Sequence, residues 1–214
     1  TCAINSNGLV ECWGNDNFGQ STPPSDRFIQ VSTGRSHTCG IKSDGILACW
    51  GNDTYEKATP LPGTFIAISS GEWHTCGIRT NGTIDCWGDN AYGQTNRPAG
   101  NYIQISAGED HNCAIREDGA LICWGSETAG GIGPYLSVST KEHTCTITSD
   151  GLVHCWGADD DYGQTTPPPG TFHQVSAGRH HTCGIRSNGI VTCWGRNNLG
   201  QLLSQRIFLP IMLK

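Results

Sequence analysis

Short alternations of apolar and polar residues recur along this chain, and no segment keeps a helical period for longer than two turns. Phe28-Ile29-Gln30-Val31-Ser32 and Phe172-His173-Gln174-Val175-Ser176 alternate with period two, as strands half-buried on a pleated surface do. A second pattern follows, clearest from Cys39 to Trp50: two short strands around Ser43-Asp44-Gly45. That loop suits a type I turn closed by a glycine at positive φ. Gly8, Gly45, Gly82, Gly119, Gly151 and Gly189 all fill this slot, where a Cβ would be costly. The chain reads as all-β.

The pattern is one unit repeated. Cysteines pair as Cys2 and Cys12, Cys39 and Cys49, Cys76 and Cys86, Cys113 and Cys123, Cys145 and Cys155, Cys183 and Cys193. Every pair is ten positions apart, and pair starts recur every 37, 37, 37, 32 and 38 residues. Periods of this size mark solenoids, propellers or arrays. One unit fills residues 170–195; the others usually add an Asn/Asp-rich stretch, Tyr-Gly-Gln and prolines, as from Asp89 to Gln94.

Register then predicts the bridges. Pairing Asn5 with Leu9 across the turn sets Ile4 opposite Val10 and Cys2 opposite Cys12. The cysteines fall at a non-hydrogen-bonded pair, where Cα atoms approach to about 4.5 Å, close enough to join. Six disulfides are expected, one inside each hairpin at 2–12, 39–49, 76–86, 113–123, 145–155 and 183–193. Each closes a short loop, worth about 2–3 kcal/mol in the chain-entropy model. The competing reading is zinc, whose sites usually show Cys-x2–4-Cys knuckles that this chain lacks.

Alternation puts Cys2, Ile4, Val10 and Cys12 on one face and Ala3 and Trp13 on the other. The slots equivalent to Ala3 hold Gly40, Gly77, Ala114, Thr146 and Gly184, leaving room for a Trp ring. A hairpin buried on both faces belongs to a sheet sandwiched between sheets. The expectation is a six-bladed β-propeller, a single domain over 1–214. The surplus strand from Arg206 to Met212 would pair with the Cys2–Cys12 blade and close the ring; a fragment of a longer array is the alternative. In the fourth unit, 126–132 replaces the Asn/Tyr/Pro stretch, so its outer strand should be reduced or missing.

Composition narrows the function. Net charge is −6, against a nucleic-acid binder, which needs a basic stripe to displace counterions. No run of 18 apolar residues exists, so no membrane span is expected. The abrupt Thr1-Cys2 start resembles a processed or trimmed chain. Twelve cysteines paired as disulfides imply an oxidising compartment, hence a secreted or cell-surface protein.

The unit Ser-Ala-Gly-x-x-His, x-Asp/Asn-Gly, Trp-Gly-x-Asn-x-x-Gly-Gln resembles the regulator-of-chromosome-condensation repeat family over essentially the whole chain. Short units with Gly163-Gln164-Thr165-Thr166-Pro167 look most like the secreted bacterial branch that includes a β-lactamase inhibitory protein. The paired cysteines with Cys-Trp-Gly also look like plant crinkly-type receptor ectodomains. The resemblance implies a propeller used as a binding platform, with no catalytic residues to carry over. The nuclear nucleotide-exchange branch is a poor functional model for a chain with hairpin disulfides.

Candidate chemistry is sparse. His37, His74, His111, His143 and His181 each stand two residues before a cysteine. A metal-binding ring is one reading; the repetition favours histidines that satisfy backbone groups of their own blade. Asp159-Asp160-Asp161 lacks the companions of a calcium loop and reads as solvated. No nucleophile elbow or phosphate loop is present, so no enzyme, cofactor or metal is expected.

The repeats disagree most at two places. Before each histidine stand Arg35-Ser36, Glu72-Trp73, Glu109-Asp110, Lys141-Glu142 and Arg179-His180. The stretch after Trp-Gly varies as well. In a four-stranded meander these two connections emerge at one end, and the stereotyped Asp-Gly turns at the other. The variable end is the expected binding surface, with Trp73, Arg35 and Arg179 as anchors. Tyr55, Tyr92 and Tyr162 repeat at one slot and read as packing residues. The expected partner is an extracellular protein met in an inhibitor- or receptor-like way. A glycan bound lectin-fashion at several blades is the alternative, and an extracellular enzyme a distant third. Asn52-Asp53-Thr54 and Asn81-Gly82-Thr83 are glycosylation sequons, meaningful in a eukaryotic secretory pathway.

Overall fold

A computed structural model describes residues 1–127, 130–131, 133–157 and 160–198. They hold antiparallel strands and one short 3-10 turn at Thr54–Glu56. The chain divides into two compact units, Thr1–Pro134 and Tyr135–Lys214.

The first unit carries four sheets. Strands β1 (Cys2–Ile4) and β2 (Val10–Cys12) form a hairpin. β3 (Phe28–Thr33), β4 (His37–Lys42) and β5 (Leu47–Gly51) form a three-stranded sheet, as do β6 (Phe65–Ser70), β7 (His74–Arg79) and β8 (Ile84–Gly88). The fourth sheet runs β9 (Tyr102–Ala107), β10 (His111–Arg116), β11 (Leu121–Gly125) and β12 (Gly130–Gly131). The second unit repeats the three-stranded plan twice. Its sheets are β13 (Tyr135–Thr140), β14 (Thr144–Thr148) and β15 (Val153–Trp156), then β16 (Phe172–Ala177), β17 (His181–Arg186) and β18 (Val191–Gly195).

The hairpin register is the expected one: Cys2 faces Cys12, Ile4 faces Val10, and all six cysteine pairs are joined within their hairpins. Cα–Cα separations of 4.0–4.1 Å match a non-hydrogen-bonded pair. The six turn glycines sit at φ between 80 and 83°, where a Cβ would meet the backbone. Beside Gly45, the Asp44 carboxylate accepts the Ile46 amide at 3.0 Å.

The middle strands β4, β7, β10 and β14 are buried on both faces, and β17 on one. Cys39, Ile41 and Leu47 of one blade pack on Phe65, Ile68 and Trp87 of the next. Cys76, Ile78 and Ile84 pack likewise on Tyr102, Ile105, Ala114 and Trp124. In the second unit Cys145, Ile147 and Val153 meet Phe172, Val175 and Trp194. In all three clusters a disulfide face meets an aromatic face. Side chains also reach across to the next blade's first strand: Gln30 bonds both the carbonyl (3.2 Å) and the amide (3.1 Å) of Ile68, and Ser32 Oγ accepts the Ser70 amide at 2.8 Å.

Three expectations change. The glycines in the slots equivalent to Ala3 make room for Phe, not Trp: a Cβ on Gly40 would lie 2.5 Å from the Phe28 ring, and one on Gly77 2.7 Å from Phe65. Trp50 instead lies tilted against Phe28, ring centroids 5.7 Å apart, its Nε1 donating to the Gln20 carbonyl at 3.1 Å.

Second, no four-stranded meander forms in most described blades, because side chains take up the backbone groups after the third strand. Asp16 accepts the Ser21 amide at 2.6 Å, Asp53 the Ala58 amide at 2.8 Å, and Asn90 the Thr95 amide at 2.9 Å. Third, the fourth unit lacks that Asx motif, and there the chain returns to pair Gly130–Gly131 with β11. Its outer strand is reduced, as expected, yet it is the one outer strand among the described residues. The Arg206–Met212 segment and the ring closure expected from it lie outside the described residues.

Candidate functional site

Two connections meet at one end of each blade. The amide of Asn52 donates to Ser36 O at 2.8 Å, Asp89 N to Trp73 O at 3.0 Å, Ser126 N to Asp110 O at 2.9 Å and Arg196 N to His180 O at 2.8 Å. The loops before His37, His74, His111 and His181 are thus tied to the stretch that follows the third strand. The Asp-Gly turns lie at the opposite end of the same strands.

In the first unit these connections build a cluster around half-buried Trp73. Arg35 Cζ lies 5.0 Å and Lys57 Nζ 4.8 Å from the centre of the indole. Tyr55 stands edge-on to it, ring centroids 6.5 Å apart at 85°. Arg35, whose side chain is 57% exposed, pairs with buried Glu72 at 3.2 Å. A cation stacked on an indole gains about 0.5–2 kcal/mol as water is excluded.

Lys57 and Tyr55 in this role escaped the sequence reading. Lys57 is fully buried and donates to Asn52 Oδ1 at 2.8 Å. Burial holds its ammonium below the usual lysine range, with Asp53 opposing and Arg35 reinforcing the shift. A signal was present: Glu56-Lys57 replaces the Gly-Gln that other units carry as Gly19-Gln20, Gly93-Gln94 and Gly163-Gln164.

Glu109 and Asp110 lie half-buried further along the same end. Burial raises the Asp110 carboxyl above its ordinary value, and the charges of Asp89 and Glu72 add to the rise. Ser36 contributes its carbonyl.

The second unit repeats the construction with different residues. Glu142 accepts from Arg179 Nε and lies 3.3 Å from His180 Nδ1. The His180 and Tyr162 rings are 5.6 Å apart, and Arg196 Cζ lies 5.0 Å above Tyr162. Lys141 donates its amide to the His143 carbonyl at 2.9 Å. Asp159 of the acidic run lies outside the described residues.

The repeated tyrosines are not packing residues. Tyr55, Tyr92 and Tyr162 are 58%, 59% and 47% exposed, and Phe18 in the same slot 56%. Glutamine side chains hold the loops of Tyr92 and Phe18: Gln94 Oε1 accepts the Tyr92 amide at 2.9 Å and Gln20 Oε1 the Phe18 amide at 2.9 Å, leaving each ring outside the core.

Nor do the histidines serve only their own blades. His37 Nε2 reaches Thr75 Oγ1 of the next blade at 2.8 Å, His74 reaches Asn112 at 2.8 Å, and His143 reaches Thr182 at 2.6 Å. Each partner donates onward to a loop carbonyl, Lys57 O at 3.1 Å, Gln94 O at 2.8 Å and Gln164 O at 3.0 Å respectively. The donor direction fixes Nε2 as the protonated nitrogen. His111 instead faces Glu127 at 3.2 Å.

Stacked, hairpin-centred antiparallel blades of this kind define the β-propeller class. Residues 28–56, 65–94, 102–130, 139–164 and 172–201 match the model of the regulator of chromosome condensation (RCC1) repeat, and the chain belongs to that family. Among solved structures it is similar to the ectodomain of the Physcomitrella patens receptor kinase CR4, with 25% identity and a TM-score of 0.77, over 91% of this chain and 59% of that one. The chain thus spans well under two thirds of that ectodomain. The CRINKLY WD40 ectodomain of the Arabidopsis thaliana receptor kinase ACR4 is 28% identical, TM-score 0.73, over 91% and 79%. Yeast RCC1 (Prp20), solved bound to Kap60, shares the fold at 16% identity and a TM-score of 0.76, over 92% and 68%. No curated protein sequence matches. Among the described residues no helix is long and apolar enough to cross a membrane.

Proposed function

We propose that this chain is an extracellular binding module, its six repeats forming one propeller, that recognises a protein partner through the loop end of its blades in an inhibitor- or receptor-like way. The observation that carries this reading is the Trp73 cluster: a half-buried indole flanked by Arg35, Lys57 and Tyr55, in loops whose sequences differ from blade to blade. Trp, Tyr and Arg dominate interface hot spots because they combine large contact area with directional polar groups. Six disulfides support an oxidising compartment, and two of the similar structures are ectodomains. The reading assigns no catalytic residue and no cofactor.

A pull-down from extracellular extract with the oxidised chain as bait tests it. Trp73→Ala is expected to lose the captured protein while melting as the parent does. Capture that survives Trp73→Ala combined with Arg179→Ala would remove both anchors from the reading. The second reading is a glycan ligand. It is favoured by the exposed rings of Phe18, Tyr55, Tyr92 and Tyr162 at one repeated position, since such faces stack on sugars. Specific signals on a glycan array, abolished by Tyr92→Ala, would put it first.

A further inference from the structure

Two sequons occupy opposite ends of neighbouring blades. Asn81-Gly82-Thr83 forms the turn between β7 and β8, whereas Asn52-Asp53-Thr54 follows β5 and lies among the Trp73 residues. We propose that Asn81 is an N-glycan acceptor and Asn52 is not, a modification that rests on the extracellular reading and would leave the loop end bare.

The two asparagines differ in what their side chains do. Asn81 is exposed, and its Oδ1 accepts both the amide of Thr83 at 3.1 Å and the Thr83 hydroxyl at 2.8 Å. The sequon hydroxyl is therefore already against its own asparagine amide, on a tight turn that projects from the sheet. Asn52 is half-buried, and its Oδ1 accepts the Thr54 amide at 3.0 Å and the buried Lys57 ammonium at 2.8 Å. That oxygen is the one hydrogen-bond acceptor found for the Lys57 ammonium among the described residues, and the backbone N–H of Asn52 is also tied to Ser36 O.

In the transfer, Asn81 Nδ2 attacks the anomeric carbon of a lipid-pyrophosphate-linked oligosaccharide. The N–C bond forms as the C–O bond to pyrophosphate breaks, Nδ2 loses one proton, and the lipid pyrophosphate departs. About 20 Å of strand, the length of β7, separates the glycan from Trp73. The sugar thus covers the end that carries the stereotyped turns.

Expression of the chain behind a signal peptide in a eukaryotic secretory host, with peptide mass mapping of medium and cell lysate, decides the matter. One glycan is expected, on the peptide containing Asn81, absent from Thr83→Ala and from Asn81→Gln, and unaffected by Thr54→Ala, which destroys the other sequon without touching Asn52. An unmodified Asn81 peptide, or a glycan on Asn52, overturns the proposal. Because lysate is mapped too, a chain that carries the Asn81 glycan yet captures no partner through Trp73 would fail the binding reading and leave this one standing.

Discussion

Glu56 adopts φ 61° and Tyr55 φ 67°, both left-handed, and the other blades assign the Glu56 position to glycine: Gly19, Gly93 and Gly163 lie there at 77°, 79° and 72°. A side chain in that region costs about 1–2 kcal/mol, partly offset because glycine loses more freedom on folding. Glu56→Gly is therefore expected to stabilise the chain by about 1 kcal/mol, read as a higher denaturant midpoint at unchanged slope. An unchanged or lower midpoint would show that the loop relieves this strain elsewhere. What the strained loop supports is visible beside it: Tyr55 and Lys57 are carried to the indole of Trp73. The sequence displayed the departure from Gly-Gln plainly. It did not display its consequence, because the distance from residue 57 to residue 73 exists only once neighbouring blades stack.

The hairpin was readable in detail and the contact between blades was not. Turn glycines and ten-residue cysteine spacing define a register within one local segment, so the pairing of Cys2 with Cys12 follows from counting alone. The stitch of His143 to Thr182 spans 39 residues and needs the fold before it can be seen. The exposed tyrosines were misread for a related reason. Repetition shows that a slot matters, but only the bond from the Tyr92 amide to the Gln94 side chain shows that the loop is held without burying the ring. The histidine stitch carries a pH prediction. Burial lowers the His143 pKa below 6.5, with the neighbouring His181 charge acting in the same direction, and burial lowers that of His181 too. The unfolded chain then binds more protons than the folded one between the folded value and 6.5. Stability should be fully present above that window and fall as pH drops through it. Melting temperatures from about pH 8 to about pH 5 should show the fall, and a smaller one in His143→Gln. Equal slopes in the two proteins would place the titration at other groups.

At the scale of the molecule, every described blade has two chemically distinct ends. One carries turns of nearly constant sequence, fixed at φ near 80° by glycine and capped by Asp or Asn; the other carries Arg35, Glu72, Trp73, Glu142, Arg179 and His180 in pairs that differ from blade to blade. With a net charge of −6, general electrostatic attraction favours no anionic partner, so recognition has to come from local arrangement. Binding should therefore depend on which end is altered rather than on how much charge is changed. Asp118→Lys changes an exposed turn residue whose nearest cation, Arg116, is 3.9 Å away. It removes the carboxylate that accepts the Ala120 amide at 3.0 Å, so melting should fall slightly, but affinity for the captured partner is expected to stay unchanged despite a shift of two charges. Arg35→Ala changes one charge at the loop end and leaves the buried Glu72 carboxylate without its arginine, so some loss of melting is expected as well. It should weaken binding about tenfold or more, because it strips the stacked cation from Trp73. Titration calorimetry on the two variants separates the cases. Equal losses would mean that the partner reads overall charge, and a loss confined to Asp118→Lys would move the binding surface to the turns.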